Sequence, residues 1–220
     1  MNRLIIAIDG PSGAGKGTVA RAVASNLGYR HVDSGAMYRA VGWKALREGI
    51  ALDDEASVRR LASQAQIDVS GTTTNVDGED VTREIRTPQI DRAAAAVARL
   101  PTVRTILVAR QRELAVDGGI VMEGRDIGTV VFPHADVKLY LDASAQERAR
   151  RRAHDPAHHG GPEKLSDVAT LLTERDRLDS TRAASPLYAA ADAIVIDTTA
   201  KNVEDVVAEV MEIVRKKISS

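Results

Sequence analysis

Nine consecutive residues, Gly10, Pro11, Ser12, Gly13, Ala14, Gly15, Lys16, Gly17 and Thr18, hold four glycines, two hydroxyls and one cation. They satisfy the spacing G-x-x-x-x-G-K, directly after the apolar run Leu4 to Ile8 and ahead of Val19, Val23 and Leu27 at helical spacing. Such a strand, turn and helix let backbone N–H groups curl around phosphate oxygens, and the starting helix points its positive end at them. Lys16 then adds a point charge on the β- and γ-phosphates of a nucleotide. The hydroxyl that usually follows the lysine is displaced by one position, which makes Thr18 the candidate magnesium ligand.

A phosphate cradle does not say what receives the phosphoryl group, but four polar clusters bear on that. "DSGAMYRA" (33–40) follows a candidate strand and brings Ser34 and Arg39 to its carboxyl end, where an open α/β sheet binds ligands. "EGRDIGT" (123–129) does the same for Arg125 and Asp126. "QERARRRAHD" (146–155) sets Arg148, Arg151 and Arg152 at i, i+3 and i+4 on one helix face. "ERDRLDSTRAASP" (174–186) holds Arg175, Asp176, Arg177, Asp179 and Arg182. Each also has a plainer reading. Glu174 to Arg177 reads equally as a solvated, salt-bridged helix face, and "GRDIGT" as a turn with a buried Arg–Asp pair. His154, His158 and His159 lack the carboxylate or thiolate that would complete a metal set.

These residues need elements to carry them. Besides Leu4 to Ile8, short apolar runs at Tyr29 to Asp33, Gly119 to Glu123, Val137 to Asp142 and Ala193 to Asp197 predict five strands. Helical patterns lie between or beside them, after Ser34 through Leu46, from Pro101 to Leu114 and from Val203 to Ile218. The alternation predicts an α/β fold with a five-stranded parallel sheet flanked by helices. A β-branched stretch with a Val-Asp-Gly-Glu turn, "QIDVSGTTTNVDGEDV", predicts a small antiparallel β insert at about residues 64–86. "RAHDPAHHGGPEK" predicts a mobile surface loop, part of a lid at about residues 148–164.

The 220 residues suit a single domain, and 30 basic against 31 acidic residues give a net charge of −1, no field for nucleic acid or anionic membrane. No cysteine is present, which excludes disulfides and thiolate chemistry and fits a reducing compartment. The six apolar residues before Asp9 are too few for a signal sequence or a span, so a cytoplasmic, membrane-free protein is expected.

Taken together, "IDGPSGAGKGT", "DSGAMYR", "GEDVTREIRTPQI", "EGRDIGTVVFPHADVKLYLDAS", "ERARRR" and "ERDRLDSTRAASPL", in this order from residue 8 to 187, resemble the bacterial-type cytidylate kinases. The cradle variant G-K-G-T is shared with nucleoside monophosphate kinases in general; "GRDIGTVVFP" and "GEDVTREIR" are the specific pieces. The resemblance implies a P-loop NTPase-like fold and ATP-dependent phosphorylation of CMP and dCMP with Mg2+ and no tightly bound organic cofactor; a monomer is expected, though the sequence itself does not reveal the oligomeric state. By position it implies Arg39, Arg125 and Arg182 on the acceptor phosphate with Ser34 beside them, Arg175 and Asp179 on the pentose, and Arg104 and Asp126 on cytosine. Arg148, Arg151 and Arg152 would belong to the lid over ATP.

One position departs from the pattern. Members of that family carry a base-contacting serine nine residues before the "VR" arginine, where this chain has Ala95. Either base discrimination is looser here or another group takes over the contact. A P-loop kinase acting on UMP, AMP, shikimate or dephospho-CoA is the nearest alternative, and "GRDIGT" with the β insert speaks against it. A nucleotide-driven nucleic-acid module would need stacking aromatics, which are scarce at 3%, and a GTPase would need an N-K-x-D signature, which is absent.

Overall fold

β1 (Ile5–Asp9) sits at the centre of a parallel sheet because its side chains are apolar on both faces. Ile6 and Ile8 pack on one side against a helix formed by Lys16–Leu27 (α1), while Ala7 faces a separate cluster on the other. Each fully buried aliphatic side chain of this kind stabilises the fold by about 1.5–3 kcal/mol. The computed structural model describes residues 3–157, 164–182 and 185–219.

The chain continues through β2 (Arg30–Asp33) into α2 (Ser34–Arg47), whose amino end is capped by the Asp33 carboxylate accepting from the Ala36 N–H. α3 (Glu55–Gln64) leads to the insert, a three-stranded antiparallel sheet of β3 (Ile67–Ser70), β4 (Thr73–Val76) and β5 (Glu79–Asp80). Asp77 and Gly78 make its second turn with φ of 53° and 85°, the left-handed pair that a two-residue hairpin requires. Thr87 then caps α4 (Pro88–Val97), with proline in its first turn, and α5 (Pro101–Glu113) follows.

The main sheet resumes with β6 (Ile120–Glu123), β7 (Val137–Asp142) and β8 (Ile194–Asp197), giving the order β2-β6-β1-β7-β8 with every pair parallel. α6 (Ala145–Ala153) and α7 (Leu165–Thr181) lie between β7 and β8, and α8 (Val203–Ile218) closes the chain against α1. The five expected strands and the antiparallel insert are all present. α6 starts three residues before the expected lid, and residues 158–163 of that lid, with His158 and His159, lie outside the described residues. His154 is exposed, and its Nδ1 faces the Arg150 carbonyl. No described helix is long and apolar enough to cross a membrane.

"GRDIGT" is not a simple turn. Ile127–Val131 form one π-helical turn, and the Asp9 carboxylate at the end of β1 accepts from the Ile127 and Gly128 N–H groups at 2.8 and 2.7 Å. A carboxylate distant in sequence thus takes up the donors that a helix start leaves unpaired.

Candidate active site

At the carboxyl end of β1 the chain turns back through the glycine-rich loop into α1. Gly10 has φ of 145°, and a Cβ there would lie 2.0 Å from the Leu141 carbonyl oxygen on β7, so no side chain fits. Ser12, Gly13, Ala14, Gly15, Gly17 and Thr18 line a crevice of about 710 Å³ together with Lys16; Gly10 and Pro11 are not part of its lining. Lys16 is only 6% exposed and donates Nζ to the Pro11 carbonyl at 2.8 Å. Burial, with the positive charge of Arg125 added, pushes its ammonium down to about 7.

The same crevice is lined by Ser34, Arg39, Arg104, Arg125, Asp126, Arg175, Asp179 and Arg182, so residues named from four separate stretches of sequence converge. Arg39, from α2, donates Nη2 to Asp33 at 2.6 Å, and Arg86, just ahead of α4, donates to the same oxygen at 3.1 Å. Burial alone would raise the Asp33 carboxyl, but these two guanidinium groups hold it well below the usual carboxylate range. Arg125 donates Nε to Asp179 at 3.0 Å. Asp179 is likewise held low against burial, by Arg125, Arg175 and Arg182.

Arg104 donates to Asp126, and Arg182 stands 3.7 Å from both Asp126 and Asp179. Arg104 also lies 5.7 Å from the ring centroid of Tyr38. Ser34 has its hydroxyl committed to the Glu123 carbonyl at 2.7 Å, joining the start of α2 to the end of β6.

Seven guanidinium groups, Arg39, Arg86, Arg104, Arg125, Arg152, Arg175 and Arg182, here face four aspartates, Asp33, Asp91, Asp126 and Asp179. Arg39 Nε, Arg104 Nη1, Arg175 Nε and Arg182 Nη2 are buried without a hydrogen-bond partner among the described residues. An unpaired buried donor costs about 1–3 kcal/mol, and more when charged. Four of them at one place are donors suited to an anion's oxygens.

The three arginines of α6 do not act together. Arg148 donates to the Ala143 and Ser12 carbonyls at 3.0 and 3.2 Å and to Asp176, and it does not line the crevice. Asp176 in turn accepts from the Ser12 N–H at 3.3 Å, so this pair braces the glycine-rich loop. Arg151 donates to the Thr198 hydroxyl and carbonyl at 2.9 and 2.6 Å, beyond β8. Arg152, one turn further along α6, donates to Asp91 on α4 and lines the crevice. Seven-atom side chains at neighbouring positions find different tertiary partners, which helical spacing does not fix.

Sequence reasoning passed over Asp9, Asp33, Arg86 and Asp91. The first two close β1 and β2, and a carboxylate ending a buried parallel strand is a usable signal. Arg86 lies inside the quoted "GEDVTREIRTPQI"; Asp91 has no local signal at all. The plain reading of Glu174 to Arg177 holds for half of it. Arg177 pairs with Glu174 on an exposed face, whereas Arg175, 200° around the helix, is buried against Asp91.

A divalent cation accompanying a triphosphate would meet hard oxygen donors here: the Thr18 hydroxyl at the exposed rim and the Glu123 carboxylate, whose Oε1 lies 2.9 Å from where a Gly17 Cβ would stand. These fit Mg2+, which keeps several waters and takes few protein ligands. Among the described residues no group of three or more His, Cys, Asp or Glu side chains could hold a metal.

A family model described as cytidylate kinase matches residues 6–216. A cytidylate kinase of Solibacter usitatus is 46% identical over 220 residues, covering 99% of this chain and 95% of that one. One from Pelotomaculum thermopropionicum is 50% identical over 207 residues, 92% of each. A solved gluconokinase from Sinorhizobium meliloti 1021 superposes with a TM-score of 0.50 at 17% identity, covering 94% of this chain and 89% of that one, a likeness of fold alone.

Proposed function

The chain belongs to the cytidylate kinase family and phosphorylates CMP and dCMP to CDP and dCDP with ATP, and from that premise we propose how its residues divide the work. The acceptor is a phosphate monoester with a second pKa near 6, already largely dianionic at neutral pH. It needs no general base. The task is to bring two anions together and stabilise charge on the transferring group, by position and electrostatics.

Lys16 and the loop amides take the donor's β- and γ-phosphates. Arg39, Arg125 and Arg182 take the acceptor phosphate, supported by the unpaired donors on Arg39 and Arg182. Asp179 and Arg175 hold the pentose. Asp126 accepts from the cytosine N4 amino group, which a uracil carbonyl cannot replace, and Arg104 supports it from the other side. Ala95 lines the same crevice and offers no hydroxyl. Thr18 and Glu123 would hold Mg2+, which when bound offsets charge between the phosphates. Arg151 and Arg152 belong to the closing side, where exclusion of water keeps the kinase from acting as an ATPase. Arg148 and Asp176 brace the loop. The chain is read as one kinase unit, monomeric and cytoplasmic, with no nucleic-acid or membrane partner, in keeping with its net charge of −1.

The observation that carries this reading is that Arg39, Arg104, Arg125, Arg175 and Arg182 line one crevice together with the glycine-rich loop and Lys16. The test is ADP release from Mg2+-ATP with CMP, dCMP, UMP, AMP and GMP offered in parallel. CMP and dCMP lead, and Arg39→Ala loses on the order of 100-fold or more in kcat/KM while remaining folded. A folded Arg39→Ala enzyme with near-full activity refutes the assignment of the phosphate site.

A further inference from the structure

Side chains from three helices meet on one wall of the crevice: Asp91 from α4, Arg152 from the last turn of α6 and Arg175 from within α7. Arg175 Nη1 stands 2.8 Å from Asp91 Oδ1, and Arg152 Nη2 donates to Asp91 Oδ2. All three are largely withdrawn from solvent, with side-chain exposures of 12%, 19% and 17% for Asp91, Arg152 and Arg175. α4 follows the β insert, whereas α6 and α7 flank the lid segment. One carboxylate therefore ties the acceptor wall to both helices of the closing side.

Arg39 also faces this cluster. Its charge bears on Arg152, and the charge of Asp91 bears on Arg39 in turn. Three guanidinium groups crowded into one low-dielectric wall repel one another, and each has several side-chain torsions through which to escape. A carboxylate among them offsets the repulsion and holds the forks in place before any phosphate arrives. Ordering done in advance is not charged to each turnover.

Resting on the phosphate-transfer reading above, we propose that Asp91 is a positioning residue for the known reaction: it pins Arg152 and Arg175 against the acceptor phosphate site of Arg39 and acts through those two side chains. Asp91 itself need touch no reacting atom. Arg152 thereby serves the wall where the acceptor phosphate lies, and α4 is joined to α6 and α7 through this ion-pair cluster.

The experiment is a mutant cycle on kcat/KM for CMP at saturating Mg2+-ATP. Asp91→Asn keeps the shape and removes the charge. It is expected to cost on the order of 10-fold in the otherwise intact enzyme, less than about 2-fold in an Arg152→Ala/Arg175→Ala background, and Asp91→Glu is expected to recover part of the loss. A purely structural role lowers the rate equally in both backgrounds, and that result overturns the proposal. Circular dichroism and the thermal midpoint verify that each variant is folded; should Asp91→Asn fail to fold, Asp91→Thr enters the same cycle with the same two outcomes. The two readings fail separately. A fully active Arg39→Ala enzyme removes the phosphate site, whereas equal losses in both backgrounds with Arg39→Ala inactive remove only the role of Asp91.

Discussion

Lys16 gives the residue scale its sharpest consequence. A lysine pushed by burial from 10.5 to about 7 is largely neutral in the ligand-free protein at pH 8, while the unfolded chain keeps its proton until well above that. Between about 7 and 10.5 the unfolded state therefore binds more protons, and from this group stability rises with pH across that window. A bound triphosphate reverses the balance, since an adjacent polyanion favours the ammonium form. Binding of Mg2+-ATP at pH 8 is expected to take up close to one proton, read by titration calorimetry as a difference in heat between buffers of high and low ionisation enthalpy. Heats that coincide in both buffers contradict a buried neutral lysine. That Lys16 meets phosphate was legible from its glycines and spacing; that it is half-titrated near neutrality was not, because burial is a property of the packed crevice. Arg175 and Arg177 differ in the same way: two residues apart, one is enclosed and the other solvated, and only tertiary contact decides which.

At the scale of elements, the central strands were legible because both faces of β1 and β6 are covered, which leaves uninterrupted apolar runs such as Leu4 to Ile8. The insert was legible from its Asp77–Gly78 turn. The π-helical turn after Arg125 was not, since it depends on Asp9, 118 residues from Ile127, accepting its first N–H groups. Nor were the separate destinations of Arg148, Arg151 and Arg152. The approach to the π turn is tight: a Cβ on Gly124 would lie 2.5 Å from Ser34 Oγ and 2.7 Å from Ile127 Cδ1. Gly124→Ala must displace the buried Ser34 hydroxyl and the Ile127 side chain, on either side of the segment that carries Arg125 and Asp126. It is expected to lower stability by about 1–3 kcal/mol, read as a reduced urea midpoint with unchanged slope, and to reduce kcat/KM for CMP by at least 10-fold. A variant with wild-type midpoint and rate shows that the turn has slack the packing denies it.

For the whole molecule, the crevice is a reservoir of unbalanced charge. Its lining carries twelve Lys and Arg side chains against eight carboxylates, and the mutual repulsion of the excess cations works against the closed fold. A dianionic phosphate relieves that repulsion and satisfies the unpaired donors at once, so the phosphate and not the base should supply most of the linkage between ligand and fold. At about 100 times its Kd, CMP adds roughly 2.7 kcal/mol to stability, which for a chain of this size raises the thermal midpoint on the order of 5–10 °C. Cytidine at the same concentration presents the same base and pentose without the anion, and its shift is expected to be under about 1 °C. The Arg39→Ala variant should lose most of the CMP shift and keep whatever cytidine gives. Equal shifts from CMP and cytidine would mean that recognition resides in the base pocket of Arg104 and Asp126, and that the guanidinium cluster serves the packing of α2, α4 and α7 rather than the acceptor's charge.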